Sequence, residues 1–526
     1  MSGFTGTGDA IRFALKRDRL ILPIWVAVLV GWITMEVLSY KNLYGTPEQL
    51  AALYKTVAGN PAMIAISGPT EGVRTLGGAI TWDSLPTISV VSGVFAMFSV
   101  VRHTRAEEED GRTELLLASG SGRLAPLAAA LIVTVASLVL ASAGYLAVFA
   151  IEGFAVGPSA LLALSYLGFG VTIAGTTAAV CQVTSKARAA RGLVGIVIGA
   201  AWLLRAVGDT GNEALTWLSP LGWAEQTRPF WDDRWWPLLL PLAAFTITAG
   251  LSGWLLLRRD IGGGLIQPRP GPARAHSLLL HPLGFSFRLQ RGTIIAWAAM
   301  LFAYGFAVGA IGDSVEELLK TSSAFTEAFA SASANLLDSY FASILTVIAL
   351  LASGFTISAV LRPHSEESRG RAGLLLAAPL GKVRWFLGHL LIAFLATAFI
   401  IALVGAGLGI GFAVATGDSG QIGRLTLAGL SQTPAMWLTG SLVVLLYGIS
   451  SRLMPVAWGL LAAFVLIWTL ESFGDLPQWA IDLSPFSHTP LVPAVPYDST
   501  PLFVMGSLSI VISAIGLTFW RRRDLT

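Results

Sequence analysis

The sequence has little charge and almost no cysteine. Asp, Glu, Lys and Arg make up 12% of the 526 residues, whereas 54% are hydrophobic, and a soluble domain carries about twice that share of charge. Cys181 is the one cysteine, which excludes an intrachain disulfide and a thiolate metal cluster. This composition excludes an ordinary soluble domain and indicates a polytopic membrane protein.

The sequence also lacks the motifs of several enzyme classes. G-x-x-x-x-G-K-[ST] does not occur, so the chain has no loop of the kind that cradles ATP phosphates. A nucleophile elbow and an H-E-x-x-H string are absent as well, and the six histidines are scattered. We therefore expect no catalytic residue, no metal site and no cofactor bound by this chain.

Long apolar runs are the main feature of the sequence. A helix that crosses a bilayer needs about 20 mostly apolar residues, and about twelve runs of this order predict an all-α membrane protein. Proline and glycine blur several of their ends. The runs cover residues 20–39, 85–101, 125–151, 159–183, 193–207, 236–257, 293–311, 340–361, 385–415, 425–449, 453–470 and 502–520.

Lysine and arginine are concentrated in every second loop between these runs. Basic residues precede the first run and follow the second, fourth and sixth, and the later runs repeat the pattern. Because basic loops stay on the cytoplasmic side of a membrane, we expect both termini in the cytoplasm. The net charge of +3 then reflects topology and does not indicate nucleic-acid binding.

The densest run of charge, residues 102–123, occurs twice. RHTRAEEEDGRTELLLASGSGR follows the second apolar run, and residues 360–382, VLRPHSEESRGRAGLLLAAPLGK, follow the eighth. A shift of 259 positions superposes a Glu-Glu pair, a glycine, an arginine and a leucine run. We call the two strings the first and second motif; their matched residues are Glu107 and Glu366, Glu108 and Glu367, Gly111 and Gly370, and Arg112 and Arg371.

Further repeats divide the chain into two halves. Arg-Arg-Asp closes each half, at residues 258–260 and 522–524, and Gly-Asp followed by Leu-Ser-Pro recurs at residues 208–220 and 474–485. The Gly- and Pro-rich residues 261–282 predict a linker. We therefore predict halves at residues 1–260 and 283–526. An even number of six helices in each half makes the two copies parallel.

Smaller patterns predict helices outside the runs. Thr46-Pro47 offers an N-cap and a first-turn proline, and helical spacing continues to Gly59, which predicts a short outer helix. Amphipathic lead-ins precede the first run and occupy residues 285–291 in the second half. The Trp- and Pro-rich outer loops are typical of an interfacial aromatic belt or of a re-entrant segment.

On a continuous helix each motif would pair an acid with a base four residues later. The predicted pairs are Glu108 with Arg112 and Glu367 with Arg371, each worth about 0.2 to 0.5 kcal/mol. This energy is too small to explain why the whole string is duplicated. The motif therefore either faces a partner or forms a solvated, capped helix end.

These strings resemble a known family. EEEDGRTELLLASGSGR, LSPLGW before the sixth run, the RRD tails and the two-fold repeat are similar to the actinobacterial "exporter of polyketide antibiotics" permeases, tetronasin-type transporters of the ABC-2 class. The resemblance covers essentially the whole chain. It implies a bacterial plasma-membrane permease that exports lipophilic antibiotics or drugs and contributes to antibiotic resistance. Two copies of a separate ABC ATPase subunit would bind ATP and Mg²⁺.

The resemblance also implies a role for the motifs. In that family the loop after the second span of each half is a coupling helix that docks into a groove on the ATPase. The first motif is the more acidic, with five acids and one arginine over residues 107–114 against two acids and two arginines over 366–373. We expect it to contribute more of the docking electrostatics. The implied docking residues are Glu107, Glu108, Glu109, Gly111, Arg112, Glu114, Glu366, Glu367, Gly370 and Arg371.

Charged and aromatic residues inside the runs are candidates for the substrate path. Arg205 and Glu471 hold nearly equivalent positions in the two halves, and they could pair with each other or snorkel to the membrane face. In ABC-2 permeases the second and fifth helices of each half line the central cavity, which would suit a lipophilic ligand. Packing against neighbours or lipid is the alternative for the aromatics. The candidates are Phe95, Phe98, Trp202, Arg205, Phe341, Phe355, Phe464, Trp468 and Glu471.

A proton-coupled secondary transporter of the major facilitator kind is the alternative function. It too has two six-helix halves with charged loops after the second and eighth spans. Its loop motif resembles G-x-x-x-D-R-x-G-R-R, and neither motif here has the leading Gly or the Asp-Arg pair. Inhibition by vanadate or by a proton uncoupler would separate the two functions.

Overall fold

The computed structural model describes residues 3–59, 61–266, 274, 276–310, 312, 336–368, 370–377, 380–471 and 476–523. These residues form helices and connecting turns, with no β-strand among them. Eleven of the described helices are long and apolar enough to cross a membrane. The predicted class, an all-α polytopic membrane protein, is confirmed. Residues 474 and 475, residue 524 and most of the segment between the seventh and eighth runs lie outside the described residues.

The chain divides into two compact units, Met1–Gly271 and Pro272–Thr526, and the boundary falls inside the predicted linker. The first unit contains thirteen described α-helices. They are α1 Thr7–Arg17, α2 Ile21–Leu43, α3 Pro47–Val57, α4 Pro61–Ser67, α5 Leu76–His103, α6 Arg105–Glu109, α7 Arg112–Ala118, α8 Ala125–Ile151, α9 Val156–Val183, α10 Ala187–Thr210, α11 Glu213–Leu218, α12 Pro220–Glu225 and α13 Leu239–Arg258.

The core of the first unit is built around α5, which packs against α9, α8 and α2. α5 is the most buried span of this unit. Helix α9 lies close to Gly93 of α5. A side chain at this position would clash, because a Cβ would lie 2.7 Å from the Phe169 ring of α9. Small residues at helix contacts are the usual way for membrane helices to pack tightly. The end of α5 therefore delivers the first motif from a rigid core.

The short helix predicted after Thr46 is confirmed as α3. Thr46 and Gln49 form a reciprocal capping box at its start: the Thr46 hydroxyl accepts from the Gln49 amide and the Gln49 side chain accepts from the Thr46 amide. Pro47 occupies the first turn, where its missing N–H needs no partner.

The second unit contains ten described α-helices. The long ones resemble those of the first unit in order and length. They are α14 Pro282–Ala310, α15 Leu336–Val360, α16 Arg362–Ser368, α17 Arg371–Leu376, α18 Lys382–Thr416, α19 Gln421–Ser431, α20 Thr433–Ile449, α21 Met454–Glu471, α22 Gln478–Ile481 and α23 Thr500–Arg522.

Two expectations for the second unit were wrong. The lead-in predicted at residues 285–291 is the first part of α14 and runs into the span without a break, whereas α1 and α2 are separate helices. The run predicted at residues 425–449 is two helices, α19 and α20, with Gln432 between them. Pro434 lies at the start of α20, where it supplies no N–H for the helical hydrogen bond that would join them.

Candidate functional site

Each motif folds as two short helices joined by a left-handed glycine. Gly111 separates α6 from α7 with φ of 71°, and Gly370 separates α16 from α17 with φ of 69°. Side chains disfavour this conformation, which glycine adopts freely. The repeated glycine is therefore a requirement of the turn. We call the end of each unit that carries this turn its motif end.

The turn changes the predicted ion pairs. Arg112 bonds through Nε to Oε2 of Glu107 at 2.9 Å, and Arg371 bonds through Nε to Oε2 of Glu366 at 2.8 Å. The predicted pairing of these arginines with Glu108 and Glu367 is wrong, because the chain turns at the glycine and the residue five positions back becomes the neighbour. The first glutamate of each motif thus closes the turn.

The second glutamate of each motif binds the tail of its own half. Glu108 accepts from Arg105 at 2.8 Å and from Arg259, which follows α13. Glu367 accepts from Arg523, which follows α23, at 2.6 Å and from the Tyr447 hydroxyl. Both arginines are the second Arg of a repeated RRD tail. In each half, the motif and the RRD tail therefore contribute to one ion-pair cluster.

Most of these acids are buried. Glu107, Glu366 and Glu367 retain 5%, 3% and 7% of their exposure, and the side chain of Glu108 retains 8%. A carboxylate in this position contacts a partner protein only if its internal ion pairs break. Their burial argues against the docking surface predicted for these four residues and gives them an internal role.

Glu109 has a third role, which the second motif lacks. Its Oε1 accepts from the amide of Ala187 at 2.7 Å and so caps the first turn of α10. Glu109 itself is exposed. Ser368 holds the matching position in the second motif.

Ion pairs hold α1, the predicted lead-in, against the first motif. Arg17 forms an ion pair with Glu107. Asp18 is bound by Arg102 at 2.8 Å and by Nε2 of His103 at 3.0 Å. Burial alone would raise the pKa of the Asp18 carboxyl, but hydrogen bonds from His103 and Arg102 outweigh it and lower the pKa below its usual value. Asp18 is therefore ionised and holds α1 against the end of α5.

Each motif exposes a leucine. Leu115 of α7 is 72% exposed and Leu374 of α17 is 80% exposed, at matching positions of the repeat. Asp110 and Glu114 add negative charge beside Leu115, whereas Arg371 is exposed beside Leu374. The charge difference between the motifs, predicted from the sequence, is present on these exposed residues.

Sequence reasoning missed the basic partners of the glutamates. The sequence predicts the RRD tails as repeats without a contact, although their similar distances from the motifs, 151 and 156 positions, are the available signal. Arg17 and Arg105 carried no such signal, because nothing in the second motif matches them. The missed basic partners are Arg17, Arg105, Arg259, Arg362 and Arg523, and the Tyr447 hydroxyl is a missed neutral partner.

The candidates for the substrate path fall into two groups. Phe95, Phe341, Phe355 and Phe464 are at most 4% exposed and pack in the hydrophobic cores of their own units. They would have to move to reach a ligand. The others retain exposed or partly exposed surface, and their role in a cavity stays a prediction; they are Phe98, Trp202, Trp468 and Glu471.

Arg205 is fully buried within the first unit. Its Nη2 donates to the carbonyls of Ala65 and Ile66 at 3.0 and 2.7 Å, and its Nη1 lies 3.5 Å from Asp209 and 3.6 Å from Glu225. The idea that Arg205 snorkels to the membrane face is wrong, since its guanidinium points into a closed polar cluster. Glu471, its predicted counterpart, is exposed.

Comparison with known proteins agrees with a transport role for these helices. The family profile described as "Multidrug efflux system permease Rv1217c, C-terminal domain" matches residues 20–255 and 279–521. The chain belongs to this permease family. The permease is also 34% identical to the multidrug efflux system permease protein Rv1217c of Mycobacterium tuberculosis (strain ATCC 25618 / H37Rv), over all of this chain and 96% of that protein.

Proposed function

We propose that the permease is the membrane subunit of an ABC-2-type, tetronasin-like exporter that extrudes lipophilic antibiotics or drugs. Two ATPase subunits would bind ATP and Mg²⁺ and dock on the motif ends, which would then face the cytoplasm. The observation that carries this proposal is the repeated motif, which presents an exposed leucine above a buried ion-pair cluster in both halves. Membership of a multidrug efflux permease family supports the export of drugs.

The ion-pair clusters explain how docking could move the spans. In the first unit, α6 continues from α5, Glu109 caps α10, and Glu108 holds Arg259 at the end of α13. A force on α7 therefore reaches three long helices, α5, α10 and α13, through short contacts, of which the Glu108–Arg259 ion pair is buried. Buried ion pairs resist rearrangement because separating them leaves an uncompensated charge. The motif end would move as one piece when the ATPases close.

Substitution of the exposed leucines tests docking. Leu115→Asp and Leu374→Asp place a charge where an apolar contact with the ATPase is proposed, and together they should reduce copurification of the ATPase at least tenfold. Ile266→Asp is the matched control, since Ile266 is 69% exposed and its amide bonds to Val183 at the motif end of α9. Full retention of the ATPase by the double variant would refute docking at these helices.

A proton-coupled secondary transporter is the second candidate, and one contact favours it. Asp83 of α5 accepts from the Tyr40 hydroxyl at 2.9 Å and contacts the carboxyl of Glu36 on α2. Paired carboxyls inside spans are a common feature of proton relays. Transport that is stopped by an uncoupler and resists vanadate would establish this candidate and exclude the ATP-driven exporter.

A further inference from the structure

At the end of the first unit away from its motif, a small cavity adjoins the Arg205 cluster. Arg205 lies 18 positions beyond the start of α10, which is about 27 Å along the helix. The cavity has a volume of about 50 Å³, and Trp82, Trp231, Glu225 and Gln226 are among its lining residues. A water needs roughly 10–15 Å³ of such space. The cavity therefore accepts a small polar head group.

The cluster beside the cavity contains two carboxyl groups and one guanidinium. Asp209 and Glu225 share a single buried cation, Arg205, at 3.5 and 3.6 Å. Arg205 is anchored by its bonds to the carbonyls of Ala65 and Ile66 on its other side. With both carboxylates ionised the cluster carries an excess negative charge, which burial makes unfavourable unless a proton or another cation compensates for it.

The nearest exposed cations have other partners. Arg228 lies at the cavity wall, but its Nη1 is 3.5 Å from Asp232 and its guanidinium stacks on Trp231 at 4.7 Å. Arg234 also binds Asp232, at 2.5 Å. Neither arginine forms an ion pair with Glu225 among the described contacts, so the excess charge is left beside the cavity.

Two acceptor atoms at the cavity have no N–H or O–H donor of the described chain bonded to them. They are Oε2 of Glu225, whose carboxyl has the Asp209 carboxyl as its hydrogen-bonding neighbour, and Oε1 of Gln226. Gln226 is 4% exposed and lines the cavity. A ligand that satisfies both atoms must bring N–H or O–H donors, and one that also balances the cluster must be cationic.

We propose that this cavity binds the protonated primary or secondary amine of an exported compound, which rests on the proposed export function and narrows its substrates to cationic amphiphiles. The ammonium donates to Glu225 and Gln226, and the two indoles flank it by cation–π contact. The sequence of the second half lacks the two acceptors. When Ser219 is aligned with Ser484, Pro490 and Leu491 replace Glu225 and Gln226.

Binding should weaken as the pH falls. Burial raises the pKa of Glu225 well above its usual value, although Arg205 opposes the shift and Asp209 adds to it. The ammonium needs the ionised carboxylate, so protonation of Glu225 at lower pH removes the site.

Titration of the purified full-length permease with octylammonium tests the site, with tryptophan fluorescence or calorimetry as the readout. Glu225→Gln should weaken binding at least tenfold and Gln226→Leu several-fold. Glu213→Gln, which removes an exposed acid on the neighbouring α11, is the matched control. Octanol and octyltrimethylammonium, which lack the charge or the N–H donors, should bind at least tenfold more weakly than octylammonium.

A second variant avoids the risk that a buried substitution unfolds the protein. Trp231 is 44% exposed, and Trp231→Ala should weaken binding several-fold, whereas Trp235→Ala, at 49% exposure, should not. Unchanged octylammonium affinity in both Glu225→Gln and Trp231→Ala, or equal affinity for octanol, would overturn the site. Because no ATPase is present, this result is independent of whether docking at Leu115 and Leu374 succeeds.

Discussion

At the scale of single residues, the two glutamates of each motif perform separate tasks. The first closes the turn by binding the arginine after the glycine, and the second binds the tail of its half. Different neighbours complete the same arrangement, because Arg105 serves Glu108 whereas Tyr447 serves Glu367. Each second glutamate keeps its tail arginine, and its other partner is a cation in the first half and a neutral hydroxyl in the second; both satisfy the buried carboxylate, since an unpaired buried charge is costly.

Glu108→Gln tests the internal task. It leaves Arg105 and Arg259 buried and without their carboxylate, and we expect the free energy of unfolding to fall by about 3 kcal/mol. Thermal unfolding of the purified permease measures the loss. Glu114→Gln, at an exposed position of the same motif, should leave the midpoint unchanged. Equal midpoints for the two variants would show that Glu108 is not a structural residue.

At the scale of helices, the apolar runs located the spans well and their ends poorly. Hydrophobicity is decided by side chains, so the core of α5 and the length of α8 follow directly from the sequence. A break such as that at Gln432 depends on one missing N–H at Pro434, and hydropathy does not detect it. The ion pairs depend on which residues become neighbours after the chain turns at Gly111, and spacing along the chain could not show that.

Helix α1 provides a test at this scale. Asp18 is ionised and bound to Arg102 and His103, so Asp18→Asn should release α1 and speed trypsin cleavage at Lys16, which is exposed. The wild-type protein should show the same release as the pH falls through the lowered pKa of Asp18. Asp9→Asn, at the exposed start of α1, is the control. Identical cleavage rates would mean that the ion pairs do not hold the helix.

At the scale of the whole molecule, the two halves share a plan and differ in charge. Both carry the glycine turn, the paired glutamates and the tail arginine, and both expose a leucine. The first half has the acidic cover of Asp110 and Glu114, whose matching residues in the sequence are Arg369 and Gly373, and it has the polar cavity beside Arg205. Two identical ATPase subunits would therefore meet different surfaces, and a cationic substrate would meet one acidic site.

Salt dependence of docking tests this difference. Asp110→Asn with Glu114→Gln should weaken ATPase copurification several-fold at low ionic strength and little at high ionic strength, because exposed charges are screened by salt. Arg371→Gln in the second motif should have a smaller or opposite effect. Equal losses for both motifs at every salt concentration would contradict a functional difference between the halves.

The tail arginines have a further consequence for how such a chain is made. Arg259 is synthesised 151 residues after Glu108, and Arg523 is synthesised 156 residues after Glu367. Each glutamate therefore lacks its tail arginine until the last helix of its half has been synthesised and inserted. The motif is therefore completed only when the final span of its half is completed, and a half that stops short would leave the second glutamate of its motif without the tail arginine.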